Sequence, residues 1–76
     1  HIVGEFFQGI EHVLMAPKGA TLESVKDVYS HPQALLQCRE NLRAMNVVSH
    51  AHSNPAQAAA DVAKWNDPSK AALASP

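Results

Sequence analysis

Apolar and polar residues alternate along the chain from residue 10 to residue 16. One face of this stretch carries Ile10, His12, Leu14 and Ala16. A period of two is typical of a β-strand, so we predict a strand here, preceded by an extended segment over residues 1–7. In this arrangement His12 points inward, and we interpret it as a partly buried histidine with its hydrogen bonds satisfied.

A helical spacing replaces this alternation after Pro32. Apolar positions then recur at i, i+3, i+7 and i+10, as Leu35, Cys38, Leu42 and Met45, which is one stripe of an amphipathic helix. Proline fixes a helical φ and lacks the N–H that a first turn leaves unpaired. It also disfavours helical geometry at the residue before it, so His31 is the predicted N-cap. We predict one helix from Pro32 to Met45, closed by Asn46.

The other segments continue the alternation of strands and helices. We predict a short helix capped by Thr21, an alanine-rich helix over residues 56–65 after Ser53-Asn54-Pro55, and strands at 28–30, 47–52 and 70–74. Strands that alternate with helices of about ten residues imply βαβ units. The predicted fold class is therefore α/β, a three-layer sandwich with a mostly parallel sheet.

Composition excludes several classes of function. The net charge is −1 over 76 residues, and the charges form no basic patch, which argues against binding of nucleic acid or anionic membranes. No apolar run approaches the roughly 20 residues that span a bilayer. The single cysteine permits no internal disulfide and suits a reducing compartment, so we expect a cytoplasmic protein. Because the chain begins at His1, we expect it to be part of a longer protein.

The residues themselves indicate one candidate binding site. In parallel sheets ligands bind beyond the carboxyl ends of the strands, and polar residues follow three predicted strands here, at Ser30, at 52–54 and at Ser75. Ser30 precedes the helix that begins at Pro32, and Gln33 and Gln37 share a polar face of that helix. Unpaired N–H groups and the helix dipole favour an anion at such a junction.

Two other groups are of residue types that can act chemically, but we interpret both as structural. Cys38 lies on the apolar stripe with no evident base beside it, so we interpret it as a buried, inert thiol rather than a nucleophile. His50 and His52 point the same way on a predicted strand, but two ligands without a third do not define a metal site. We therefore predict no metal.

The same junction carries a resemblance to a known family. The run Val28-Tyr29-Ser30-His31-Pro32-Gln33-Ala34-Leu35, followed by Gln37-Cys38, resembles the Ser-His-Pro-Gln-Ala-Leu…Gln-Cys motif of prephenate dehydratases. The strand at 10–14 is similar to the family's Ile-x-His-x-Leu strand, and residues 70–74 resemble its Ala-Ala-Ile-Ala-Ser segment. The resemblance extends from Ile10 to Ser75.

This resemblance implies both a fold and an activity. Residues 1–76 would form one lobe of a two-lobed catalytic domain like the type II periplasmic binding proteins, with the active site between the lobes. The family converts prephenate to phenylpyruvate with loss of water and carbon dioxide, in phenylalanine biosynthesis and without a cofactor. The substrate-binding residues that the resemblance implies are Ser30, His31, Gln37, Cys38 and Ser75.

The resemblance also implies which parts of the enzyme lie outside this chain. The family's proposed acid is the threonine of a Thr-Arg-Phe motif, and that motif does not occur here, so we place no catalytic residue in this chain and expect it to be inactive alone. The partner lobe and the ACT domain that binds phenylalanine as effector would lie elsewhere, in a homo-oligomeric parent enzyme. Asn54-Pro55 stands where the family often has Asp-Thr or Ser-Thr, so no contact is carried over there.

Two alternatives stay open. A non-enzymatic lobe that binds an anion or other solute would share the α/β pattern, although it would not explain the Ser-His-Pro-Gln-Ala-Leu…Gln-Cys run. Arogenate dehydratase differs in its substrate, which carries an amino group where prephenate carries a keto group. The sequence does not separate it from prephenate dehydratase.

Overall fold

A computed structural model describes residues 1–8 and 10–74 of the chain, which form one sheet covered by helices. The strands are β1 Ile2–Gln8, β2 Ile10–Met15, β3 Asp27–Ser30, β4 Val48–Ala51 and β5 Lys70–Ala74. The helices are α1 Pro32–Gln37, α2 Arg39–Met45 and α3 Pro55–Trp65. Within the described residues, every helix is too short or too polar to cross a membrane.

The sheet is mixed, with the strand order β1-β2-β5-β3-β4. Strands β4, β3 and β5 are parallel neighbours, whereas β2 runs antiparallel to both β5 and β1. The predicted α/β class is confirmed, and the parallel part of the sheet is its β5-β3-β4 half. Because β2 is antiparallel, its beginning lies at the edge where β3 and β5 end.

Helices cover both faces of the sheet, which confirms the three-layer arrangement. On one face the stripe of α1 and α2 packs on Val28 and Leu73, and this core cluster includes Leu35, Cys38, Leu42 and Met45. On the other face Ala58 and Val62 of α3 pack against Ala72. Neighbouring residues of β5 point to opposite faces, so both sides of this strand are buried and its sequence is a continuous apolar run.

Two predicted helices differ from the structure. The helix predicted from Pro32 to Met45 is broken at Cys38, where φ is −99° and ψ is 15°, outside α-helical values. The segment after Thr21 forms a turn rather than a helix. Thr21 N–H donates to Ser24 Oγ (2.9 Å), and Ser24 N–H donates to Thr21 Oγ1 (3.2 Å). These local side-chain bonds replace the backbone bonds that would continue a helix.

The predicted ends of the remaining helices are confirmed within a residue. The N-cap of α3 is Asn54, whose Oδ1 accepts from the N–H of Gln57 at 3.2 Å, and Pro55 occupies the first turn. Asn46 and Asn66 end α2 and α3 in left-handed conformations, with φ of 59° and 50°. Asparagine tolerates this region better than most residues, so both helices stop there.

Candidate functional site

A cleft of about 480 Å³ opens at the edge of the sheet where β3 and β5 end and β2 begins. Its walls are formed by Ile10, His12, Ser30, His31, Gln33, Ala34, Gln37, Leu73 and Ala74. This is the edge at which parallel sheets bind ligands. Of the strand ends predicted to form the site, the end of β3 at Ser30 lies in this cleft, whereas residues 52–54 after β4 are not among its walls.

Ser30 is fixed at the base of this cleft. Its side chain is wholly buried, and its Oγ donates a hydrogen bond to the carbonyl oxygen of Leu73 on β5. A hydroxyl has one hydrogen to donate and two lone pairs that accept. Because the hydrogen is used within the sheet, only the lone pairs of the Ser30 Oγ remain as acceptors, and the bond joins the ends of β3 and β5.

His31 caps α1, as the sequence predicted. Its side chain is exposed, and Nδ1 accepts from the N–H of Gln33 at 3.2 Å. The N–H of Leu35 donates to the His31 carbonyl at 3.1 Å. The N–H of Gln33 is therefore paired with the cap, so this one of the first-turn N–H groups is not free for an anion.

Gln37 projects from the last turn of α1 into the cleft and contacts β2. Its Oε1 lies 3.0 Å from Nε2 of His12. The two residues are 25 positions apart in the chain, so this bond connects the helix to the antiparallel strand. Gln37 is itself exposed and lines the cleft.

One of the predicted substrate-binding residues, Cys38, is not among the residues that line the described cleft. Cys38 is wholly buried in the core cluster with Leu42 and Val28, and this burial raises the pKa of its thiol. A protonated thiol among apolar side chains is a packing group, as the apolar stripe predicted, and the substrate-binding role that the resemblance implied for it stays a prediction. Ser75 lies outside the described residues.

A second polar cluster occupies the opposite face of the sheet, beneath α3. The His50 ring stacks on Tyr29 with centroids 4.6 Å apart, and its Nε2 donates to Asp27 Oδ1 at 2.9 Å. Lys70 Nζ lies 3.3 Å from Asp27 Oδ2 and 5.8 Å from the centre of the Trp65 ring. His50 and then Lys70 hold the pKa of Asp27 below its ordinary value. These contacts join β3, β4, β5 and α3.

The two histidines considered as metal ligands take separate partners. His50 pairs with Asp27, while His52, just after β4, lies 3.5 Å from Asp61 of α3. Across residues 1–8 and 10–74, no group of three or more histidine, cysteine or carboxylate side chains is placed to hold a metal ion. The structure therefore shows each histidine paired with a different carboxylate.

Sequence reasoning missed His12 as a residue of the cleft. The alternation along β2 predicted that it points inward, and the side chain is buried more fully than predicted, at 2% exposed. The prediction that its hydrogen bonds are satisfied is wrong, because its Nδ1 has no partner among the described residues. The alternation did not predict that β2 pairs antiparallel with β5, which brings the beginning of β2 to the ends of β3 and β5. The available signal was the His-x-Leu strand itself, because a polar residue on the apolar face of a strand requires a partner.

The fold and the cleft define an α/β lobe with a small-molecule site at the carboxyl ends of its parallel strands. Residues 1–76 match the family described as prephenate dehydratase (PDT). The chain therefore belongs to the prephenate dehydratase family.

Named relatives agree with this assignment. The chain is 46% identical over 63 residues to arogenate dehydratase 2 of Petunia hybrida, covering 83% of this chain and 16% of that protein. It is 41% identical over 75 residues to arogenate dehydratase/prephenate dehydratase 2, chloroplastic, of Arabidopsis thaliana, covering 99% and 20%. The chain thus spans about a fifth of the length of these curated relatives.

A solved structure shares the fold. This structure, described as "GqqA- a novel type of quorum quenching acylases", superposes with a TM-score of 0.82 at 34% identity. The match covers 97% of this chain and 27% of that one. The arrangement of strands and helices described above is therefore found within a larger solved protein.

Proposed function

We propose that this chain is part of an enzyme that converts prephenate to phenylpyruvate, with loss of water and carbon dioxide, and that it forms one wall of the substrate cleft. The observation that carries the proposal is the position of the Ser-His-Pro-Gln…Gln run. Ser30, His31, Gln33 and Gln37 all line one cleft at the ligand-binding edge of the sheet.

The chemistry of the cleft suits binding of the substrate better than proton transfer. Prephenate carries two carboxylates and a ring hydroxyl, and its elimination is driven by the aromaticity of the product. The carboxamides of Gln33 and Gln37 donate hydrogen bonds to carboxylates without titrating, and Ser30 accepts from a hydroxyl or amine. We therefore assign these residues to positioning the substrate. The acid that assists loss of the hydroxyl would come from the facing lobe.

Arogenate is the second candidate substrate, and the named relatives favour testing it. The Petunia relative is called an arogenate dehydratase, and the Arabidopsis relative carries both names. The two substrates share the ring, its hydroxyl and both carboxylates, and they differ only in the amino or keto group of the side chain. The cleft residues described above would bind the hydroxyl and carboxylate groups, which both substrates carry.

The remaining properties of the parent enzyme follow from the family resemblance and stay proposals. They comprise a second lobe that closes the cleft, together giving a periplasmic-binding-protein-like domain, and a regulatory ACT domain with phenylalanine as effector. A homo-oligomeric, cytoplasmic enzyme without a cofactor completes this proposal.

The test uses the full-length enzyme with prephenate and arogenate as separate substrates, followed by formation of phenylpyruvate and phenylalanine. Gln37→Ala removes a hydrogen bond to a carboxylate, which contributes about 1.5–3 kcal/mol, so kcat/KM should fall about ten- to a hundred-fold. Gln57→Ala is the matched control, because Gln57 is an exposed helical glutamine of α3 that bonds Asp61 (2.9 Å).

The outcomes separate the candidates. Turnover of either substrate with a selective loss in Gln37→Ala supports the proposal and identifies the preferred substrate. Binding of prephenate without turnover by the full-length protein would instead favour the non-enzymatic lobe. Equal kcat/KM for Gln37→Ala and Gln57→Ala would remove Gln37 from the site.

A further inference from the structure

His12 is the most deeply buried polar side chain of the cleft wall apart from Ser30. It is 2% exposed, and its Nε2 forms one hydrogen bond, to Oε1 of Gln37 at 3.0 Å. Within the described residues, its Nδ1 is shielded from solvent and has no hydrogen-bond partner. A buried polar atom without a partner calls for an explanation, because most such atoms in folded proteins are paired.

The bond between His12 and Gln37 has two possible polarities. In the first, Nε2–H of His12 donates to the Gln37 carbonyl, and Nδ1 is an unprotonated acceptor. In the second, the carboxamide is reversed, its amino group donates to Nε2, and the hydrogen of the ring is on Nδ1.

The orphaned Nδ1 decides between these polarities. In the reversed arrangement it would be a buried N–H donor with no acceptor among the described residues, whereas in the first it is an unfilled acceptor. Among backbone groups, orphaned buried N–H donors are rarer than under-satisfied carbonyl acceptors, and we apply the same order to the ring nitrogen. The structure therefore favours the polarity in which the ring holds the carbonyl of Gln37.

The polarity of this bond decides what Gln37 offers to a ligand. A carboxamide carries its acceptor and its donors on opposite sides, so a carbonyl held by the strand leaves the amino group for the cleft. An amino group binds a carboxylate oxygen, whereas an exposed carbonyl would repel it.

We infer that His12 is a positioning residue that fixes the carboxamide of Gln37 with its amino group toward the cleft, so that the cleft selects a carboxylate. This inference rests on the proposed function, since it assumes that a carboxylate substrate occupies this cleft. His12 itself makes no contact with the substrate in this scheme and acts through Gln37.

The kinetic test is a double-mutant cycle in the full-length enzyme with the substrate that it turns over. His12→Leu removes the donor at similar volume and should raise KM about ten-fold while kcat changes less than two-fold, because binding of an unreacting carboxylate is lost. His12→Gln places an amide N–H near the position of Nε2 and should restore KM to within about three-fold of the wild-type value.

The second half of the double-mutant cycle tests whether His12 acts through Gln37. In a Gln37→Ala background, His12→Leu should cause no further rise in KM, because the group that it positions is already missing. Independent, multiplicative effects of the two substitutions would overturn the inference. The inference would also be overturned if the His12→Leu enzyme folds with a raised KM and the His12→Gln enzyme shows the same raised KM.

A spectroscopic measurement keeps the inference testable if His12→Leu does not fold. Long-range ¹H–¹⁵N correlation spectra of the ¹⁵N-histidine-labelled, full-length protein distinguish a hydrogen on Nε2 from one on Nδ1, and His12→Gln identifies the resonance. A ring hydrogen on Nε2 supports the inference, and a neutral ring with its hydrogen on Nδ1 overturns it. This result does not depend on turnover, so inactivity toward prephenate and arogenate would refute the proposed function separately.

Discussion

Removal of the Ser30 hydroxyl should destabilise the fold at the junction of β3 and β5. Ser30 is wholly buried, and its Oγ–H bonds the Leu73 carbonyl, which joins the ends of these two strands. Ser30→Ala takes the donor away and leaves a buried carbonyl that no longer has this partner. An unsatisfied buried acceptor costs about 1–3 kcal/mol, so we expect the free energy of unfolding to fall by that amount.

Urea unfolding followed by circular dichroism in the full-length protein measures this loss. The transition midpoint should fall while the slope stays unchanged, which shows a change in stability rather than in the compactness of either state. The matched control is Ser49→Ala on β4, because Ser49 is exposed and lies beside Val28 in the same sheet. That substitution should change the free energy of unfolding by less than about 0.5 kcal/mol.

The same variant separates the structural role of Ser30 from its role in the cleft. Under the proposed function its lone pairs would accept one neutral hydrogen bond from the substrate, which contributes about 0.5–1.5 kcal/mol, so kcat/KM of the folded variant should fall about two- to ten-fold. If Ser30→Ala and Ser49→Ala unfold at the same urea concentration, the bond to Leu73 does not stabilise the fold. The structural role assigned to the Ser30 hydroxyl would then be wrong.

The other predictions concern the thiol, the ion pairs beneath α3 and the activity of the chain alone. Cys38→Ala should retain most of the activity, and the native thiol should react slowly with a disulfide reagent until urea exposes it; a covalent substrate adduct at Cys38 would contradict this. The lowered pKa of Asp27 stabilises the fold above the ordinary carboxyl value of 3.8, and this contribution is lost as the pH falls through the lower folded value. Asp27→Asn should therefore lower Tm at neutral pH, and the gap from wild type should close in acid; a constant gap would refute the assignment. Residues 1–76 alone should form no phenylpyruvate from prephenate, because they contain no Thr-Arg-Phe motif; a rate above the buffer control would place the catalytic group among them.

Local chemistry determined most element boundaries, and these were predictable from the sequence. Pro32 with His31, and Pro55 with Asn54, mark helix starts because proline and the capping side chain act within one turn of the chain. Local patterns did not predict every feature of the helices, because nothing in the apolar stripe indicated that the helix would break at Cys38. The stripe itself was correct, because burial of Cys38 and Leu42 depends only on the helical period.

The tertiary structure alone decided the composition of the cleft. The sequence brought Ser30, His31, Gln33 and Gln37 to one junction, since they are neighbours in the chain. The pairing of His12 with Gln37 depends on β2 lying antiparallel beside β5, a long-range register that no local pattern encodes. The pairing of β3 with β5 likewise decided that the Ser30 hydroxyl donates within the sheet, because it set the Leu73 carbonyl against the hydroxyl. Residue types thus fixed what chemistry was available, and strand pairing decided which of their atoms remain for a ligand.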